Sequence, residues 1–248
     1  MLALVCLAAL TFTAEGLDLD PVHTALKKIG DAGTNWPAEQ AARQQLVALG
    51  EPVVRTLQRE LATIDDARVR RACYDILCAS FAQDERTPAI LVAGLGDKDD
   101  GIRYVTAFQL GTLKAYAAHR QLQVVADDTK ESTDVRLAAA KSLAELGESH
   151  SLRLLYQGAT ADRYMERYMA SIGLKALSGK NLDDFGGYSY AEGCFVSSGL
   201  EISVPFDALQ EAERKANRFA AAVAYFGWLK AERPDLYKHL TPSFSRNR

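Results

Sequence analysis

The four histidines, His23, His119, His150 and His239, are the first place to look for metal or acid–base chemistry. No two stand at metal-ligand spacing, and no His-Glu dipeptide occurs, so each reads as a surface residue. Asp97-Lys98-Asp99-Asp100-Gly101 has the acidic density of a calcium loop. The twelfth position from Asp97 is Phe108, where such a loop needs a bidentate Glu, so the run reads as an inter-helix turn with a capping Asp. Gly94-Leu95-Gly96 and Gly101 lack the spacing and preceding strand of a dinucleotide fingerprint. There is no Gly-x-Ser-x-Gly and no phosphate loop. Of the cysteines, Cys6 lies in the first apolar run, Cys73 and Cys78 share a helix on different faces, and Cys194 sits in a Gly-rich stretch with no activating neighbour. The expectation is no catalytic residue, no cofactor and no metal. What remains is recognition. Arg71, Tyr104, Leu137 and Tyr168 recur at one position of a repeat, and Phe108 and Lys141 recur four residues after it. Aromatic rings and Arg are the usual anchors of an interface.

The repeat shows in a column of leucines, Leu46, Leu77, Leu110, Leu143 and Leu174, separated by 31, 33, 33 and 31 residues. Four positions before each stand small residues, Ala42, Cys73, Thr106, Ala139 and Ala170. Three positions after stand Leu49, Ser80, Leu113, Leu146 and Leu177. Spacing of i, i+4 and i+7 puts all three columns on one helix face. Arg70, Arg103, Arg136 and Arg167 lie seven residues before four of the leucines, with Val69, Ile102 and Val135 ahead of the first three. Acidic residues precede them: Asp65 and Asp66, Asp97 and Asp100, Asp134, and Asp162. An Asp at a helix start can cap free N–H groups, and an Arg in the first turn can reach a carboxylate of a neighbouring repeat.

Asp, Val-Arg, Ala-Ala and Leu-Gly in Ser132–Gly147 (STDVRLAAAKSLAELG) resemble the inner helix of the HEAT repeat family, in its short bacterial form. The resemblance covers about two thirds of the chain. It implies an all-α, right-handed solenoid of about five HEAT-like helical hairpins over residues 17–178. One hairpin cannot bury its own apolar face, so stacking is obligatory. In that family the Val-Arg helices line the concave side, which would make Tyr104, Phe108, Leu137 and Tyr168 a groove floor flanked by Arg71 and Lys141. The floor either meets a partner or packs between repeats and under residues 179–205.

The remaining chain has three parts. Residues 1–16 read as a secretory leader: a run of about ten apolar or small residues, too short to span a bilayer, then Ala14-Glu15-Gly16. No Lys or Arg precedes the run, and the other reading is a buried helix. Export to the periplasm or exterior is the expectation. Residues 179–205 are rich in Gly and aromatics, with a β-hairpin expected at Phe195–Val204. Phe206–Ala231 reads as a helix capping the open end, its stripe running through Phe219, Val223, Phe226 and Leu229, followed by a frayed tail to residue 248.

With a formal charge of −3 the chain is not a strongly basic nucleic-acid binder. The expected function is a non-catalytic scaffold for a protein or peptide of unknown identity. Two alternatives stay open from the resemblance: a ligand-handling protein like the bilin lyases, and a nucleic-acid binder like the HEAT-like glycosylases.

Overall fold

The structure is a computed structural model that describes residues 20–186 and 208–240, the side chains of 208–214 excepted. The expected leader, the hairpin at 195–204, Cys6, Cys194 and the tail from 241 lie outside the described residues. The described chain is all helical. It divides into two compact units, Met1–Val53 and Val54–Arg248.

The first unit holds one helical hairpin, α1 (Pro21–Ala32) against α2 (Trp36–Leu49). Both starts are set by a capped first turn with a proline in it: Asp20 accepts from the Val22 N–H and Asn35 from the Ala38 N–H. Ala42 and Leu46, the first members of their columns, are buried.

The second unit begins within α3 (Glu51–Glu60) and continues through α4 (Ala67–Ser80), α5 (Thr87–Gly94), α6 (Asp100–Thr112), α7 (His119–Asp127), α8 (Thr133–Glu145), α9 (Leu152–Gly158) and α10 (Tyr164–Ser178). The even-numbered helices are the Val-Arg helices. They pack on one another in sequence, α4 on α6, α6 on α8 and α8 on α10, while α5, α7 and α9 lie against α6, α8 and α10. This is a solenoid, and its register is that of the columns. Leu77, Leu110, Leu143 and Leu174 are fully buried, and so are Cys73, Thr106, Ala139 and Ala170. The third column behaves differently: its leucines are half-buried and Ser80 is exposed, because these positions fall at the last turns, where the helices separate.

Small residues set how closely the stack closes. A Cβ added at Gly111 of α6 would come within 2.5 Å of the Ser142 Cα on α8, a contact that no side chain can make without moving backbone. At the end of α10, Gly179 has φ +82 and its N–H bonds the Lys175 carbonyl, a left-handed helix stop that suits glycine.

The arginine column is a ladder of buried ties. Arg70 is 2% exposed and donates to both Asp97 carboxylate oxygens at 2.8 Å, and to the carbonyls of Ile64 and Asp65 at 2.7 and 2.8 Å. Arg103 repeats this one step on, bonding Glu131 at 2.6 and 3.0 Å and the Asp97 carbonyl at 2.8 Å. Arg136 bonds the Ala126 carbonyl, and Arg167 bonds those of Ala161 and Asp162. Each guanidinium thus satisfies the turn before its own helix, and the first two also hold a carboxylate of the next turn. Asp97 is therefore the Arg70 partner, and Asp99 caps α6 through the Ile102 N–H at 3.0 Å. Asp97 and Asp99 of the acidic turn are architectural.

After α10 come a short 3-10 turn at Leu182–Phe185, the long helix α11 (Ala208–Glu232) and the single-turn α12 (Pro234–Tyr237). The long helix packs on α9 and α10 with Phe226 and Leu229 of the expected stripe, but not with Phe219 and Val223. Ala221, Ala222, Tyr225 and Leu229 turn inward onto the cluster of Leu155, Leu174 and Leu182. Phe219 is 51% exposed and Val223 72%. From Phe219 to Leu229 the helix is apolar all round, so hydrophobicity alone does not select its inner face there. Polar fit does: the Tyr225 hydroxyl donates to Ser178 Oγ at 3.0 Å, and the Tyr156 hydroxyl to the Ala222 carbonyl at 3.0 Å. No described helix is long and apolar enough to cross a membrane.

Candidate functional site

The recurring side chains fall into two groups. Tyr104 and Phe108 lie one turn apart on α6, with ring centroids 6.5 Å apart and planes at 28°. Tyr168 on α10 stacks on Tyr164 with centroids 6.1 Å apart. All four rings are half-buried, so each keeps a face toward solvent. The Tyr104 hydroxyl reaches the Met169 sulfur at 3.8 Å, a weak contact. Burial, then the nearby Asp134 and Tyr168, push the Tyr104 hydroxyl up to about 12, so it stays a neutral phenol at any physiological pH. Arg71 on α4 is half-buried and sits 3.7 Å from Asp75, with one guanidinium nitrogen 3.0 Å from where a Cβ on Gly101 would stand.

Leu137 and Lys141 correct the expected groove floor. Leu137 is fully buried in the core cluster, its methyls against Gly158 of α9. Lys141 is 1% exposed. Its ammonium lies 3.5 Å from the Phe108 ring centroid, 3.1 Å from Thr112 Oγ1, 3.3 Å from the Phe108 carbonyl and 2.8 Å from Glu145 Oε2. Burial lowers the Lys141 pKa, and the Glu145 carboxylate opposes that shift. The physical reason is the place of α8 in the stack. It has α6 and α10 on either side and α7 and α9 packed on it, so nine of its residues are buried. Leu137 and Lys141 build the floor from beneath and offer no surface of their own.

The opening itself lies at the starts of α6, α8 and α10. A cavity of about 430 Å³ is lined by Asp100, Gly101, Tyr104, Ser132, Asp134, Val135, Arg163 and Met165. Ser132 caps α8 through the Val135 N–H at 3.4 Å, as Asp99 caps α6. Asp100, the first residue of α6, and Asp134, the second of α8, are not used as caps and line the cavity. Asp134 Oδ2 accepts from Arg163 at 2.8 Å, and Arg163 also reaches Glu166 at 3.3 Å. Met165 is 39% exposed and forms an apolar wall opposite Tyr104. Sequence reasoning read these Asp residues only as caps and missed Arg163 and Met165. The available signal was the doubling of cap-type residues, Asp99-Asp100 and Ser132 with Asp134, where one residue suffices to cap.

The histidines hold surface contacts. His150 lies 3.0 Å from Asp127, and His239 Nε2 3.0 Å from Ser149 Oγ. Among the described residues no group of three or more His, Cys, Asp or Glu could hold a metal ion. Cys73 is buried within its column, and burial, with Asp75 nearby, pushes the Cys78 thiol up to about 12, far from a nucleophile.

Residues 88–175, from α5 into α10, match the family model of HEAT repeats. That stretch carries HEAT repeats. The three matched hairpins of the HEAT array carry the whole cavity and all four half-buried rings. No curated protein matches the chain closely enough to stand as a relative.

Proposed function

We propose that this HEAT array is a non-catalytic scaffold that binds a protein segment on its Val-Arg face, across the starts of α6, α8 and α10. One observation carries the reading. Tyr104 and Met165, from repeats two steps apart, wall a single cavity while half-buried Phe108, Tyr164 and Tyr168 continue the aromatic surface beside it. Partly exposed aromatics beside a cavity with apolar walls and a few charged groups are the usual form of an interface anchor site. A repeat stack presents such a surface over a length suited to an extended chain. The carboxylates of Asp100 and Asp134 at its centre disfavour a phosphate backbone, so a nucleic-acid partner fits poorly.

The test is selection of random peptides on the full chain, followed by binding to variants. Tyr104→Ala should weaken selected peptides by about 2 kcal/mol, roughly thirtyfold. Met165→Ser, at an exposed position, should weaken them several-fold with no change in melting temperature. Peptides that bind both variants as well as wild type would end this reading. Export belongs to the same proposal, on the strength of residues 1–16. N-terminal sequencing of protein from the source cell should begin near Leu17, and an intact Met1 would contradict it.

A further inference from the structure

We propose that the cavity receives a basic side chain, the Lys or Arg of a protein partner, held between the Tyr104 ring and the carboxylates of Asp100 and Asp134. This rests on the scaffold reading above and adds the chemistry of the anchor.

The two carboxylates of the cavity are unequally satisfied. Asp134 Oδ2 is paired with Arg163, but Oδ1 is shielded from water and has no hydrogen-bond partner among the described residues. Since Oδ1 is closed even to water, an incoming N–H donor meets the part-exposed Oδ2 side of Asp134 and the exposed Asp100. Asp100, across the same cavity, is exposed and makes no hydrogen bond or ion pair among the described residues. Helix starts ordinarily turn their N–H groups on such carboxylates, but Asp99 and Ser132 already take the Ile102 and Val135 donors.

Charge around the opening has a definite sign. Its cations are Arg71, Arg163 and Arg103, the last held by Glu131 and also within the field of Asp100. Arg71 faces Asp75, and Arg163 is divided between Asp134 and Glu166. Five carboxylates, Asp75, Asp100, Glu131, Asp134 and Glu166, therefore surround three guanidinium groups. A partner carboxylate or phosphate would meet net repulsion, and a guanidinium or ammonium net attraction.

The walls suit the rest of a long basic side chain. An aromatic face attracts a cation within about 6 Å of its centroid. The Tyr104 phenol stays neutral, and Phe108 behind it already carries a buried ammonium, so the stacked pair has this use within the protein itself. Met165 offers a thioether wall for the aliphatic stem. At about 430 Å³ the cavity falls in the range of small-ligand sites.

The experiment titrates isotope-labelled full chain with N-acetyl-arginine amide and with its neutral isostere, N-acetyl-citrulline amide, following backbone amide shifts. The arginine probe should move amides at 100–104 and 132–135 and lose affinity as salt is raised. The citrulline probe should leave them unmoved. Asp134→Asn and Asp100→Asn, both at partly exposed sites, should each weaken the arginine probe by roughly fivefold, the scale of one such ion pair. Equal response to both probes, shifts confined elsewhere, no shift at all, or full binding by the Asp100→Asn/Asp134→Asn double variant would each overturn the proposal. Selected peptides separate the two readings. Peptides that need Tyr104 but contain no basic residue would remove the cation and leave the groove. Peptides indifferent to Tyr104 and Met165 would remove both.

Discussion

At the residue scale, the arginine ladder is the clearest case of one side chain doing several tasks. Arg70 closes its own turn through two carbonyls and holds the next turn through Asp97, which is only 7% exposed. Asp97→Ala would leave that guanidinium buried without its counter-charge. Chemical denaturation should show a loss of about 3–5 kcal/mol. Glu131, held by Arg103 and the Ser132 N–H, sits below the usual carboxylate range despite its burial. A carboxyl depressed in the folded state contributes stability that is present above its unfolded pKa of about 4.3 and is lost as pH falls through the lower folded value. Melting temperature should therefore drop below about pH 4, and Glu131→Gln should be less stable at neutral pH with a shallower acid slope. An equal slope in the variant would remove Glu131 from this role. Sequence made the ladder legible because Arg in the first turn and acid in the turn recur together. Sequence left Leu137 open between groove floor and packing between repeats, and gave no sign that Lys141 is core. Their positions relative to Arg136 match those of Tyr104 and Phe108 relative to Arg103, and only the neighbours of α8 distinguish them.

At the element scale, helix identity was readable because caps, glycine stops and the leucine period agree. Leu143 is fully buried where α8 meets its neighbours, so Leu143→Ala should cost about 2–5 kcal/mol by urea unfolding. Gly111→Ala tests the spacing between α6 and α8 instead. Its Cβ would meet backbone and the Ser142 side chain at 2.5–2.6 Å, so the helices must separate. The expected loss is about 1–3 kcal/mol, although alanine favours helix more than glycine does. A stabilised Gly111→Ala would mean that the helices lie further apart. The inner face of α11 was legible only at Phe226 and Leu229. From Phe219 to Leu229 apolar residues encircle the helix, and the choice among them rests on the hydroxyls of Tyr225 and Tyr156, which periodicity does not register.

At the scale of the whole molecule, stacking turns features of single helices into one surface. Neither Tyr104 on α6 nor Met165 on α10 forms a cavity alone; α8 between them supplies Ser132, Asp134 and Val135. The family resemblance pointed to this face, and the leucine register located its repeats. The contributions of Arg163 and Met165 needed the positions of three helix starts in space. The outer helices offer a competing surface, a shallow apolar groove of about 380 Å³ between α5 and α7 lined by Val92, Leu95, Val124 and Val125. It lacks aromatic rings and carboxylates, so it makes a weaker anchor. The most direct measurement is hydrogen–deuterium exchange of the full chain with and without a peptide selected on it. Slowed exchange should concentrate in residues 100–108, 132–136 and 163–168. Slowing confined to 92–96 and 120–125, with the helix starts unchanged, would place the binding face on the outer helices and contradict the account.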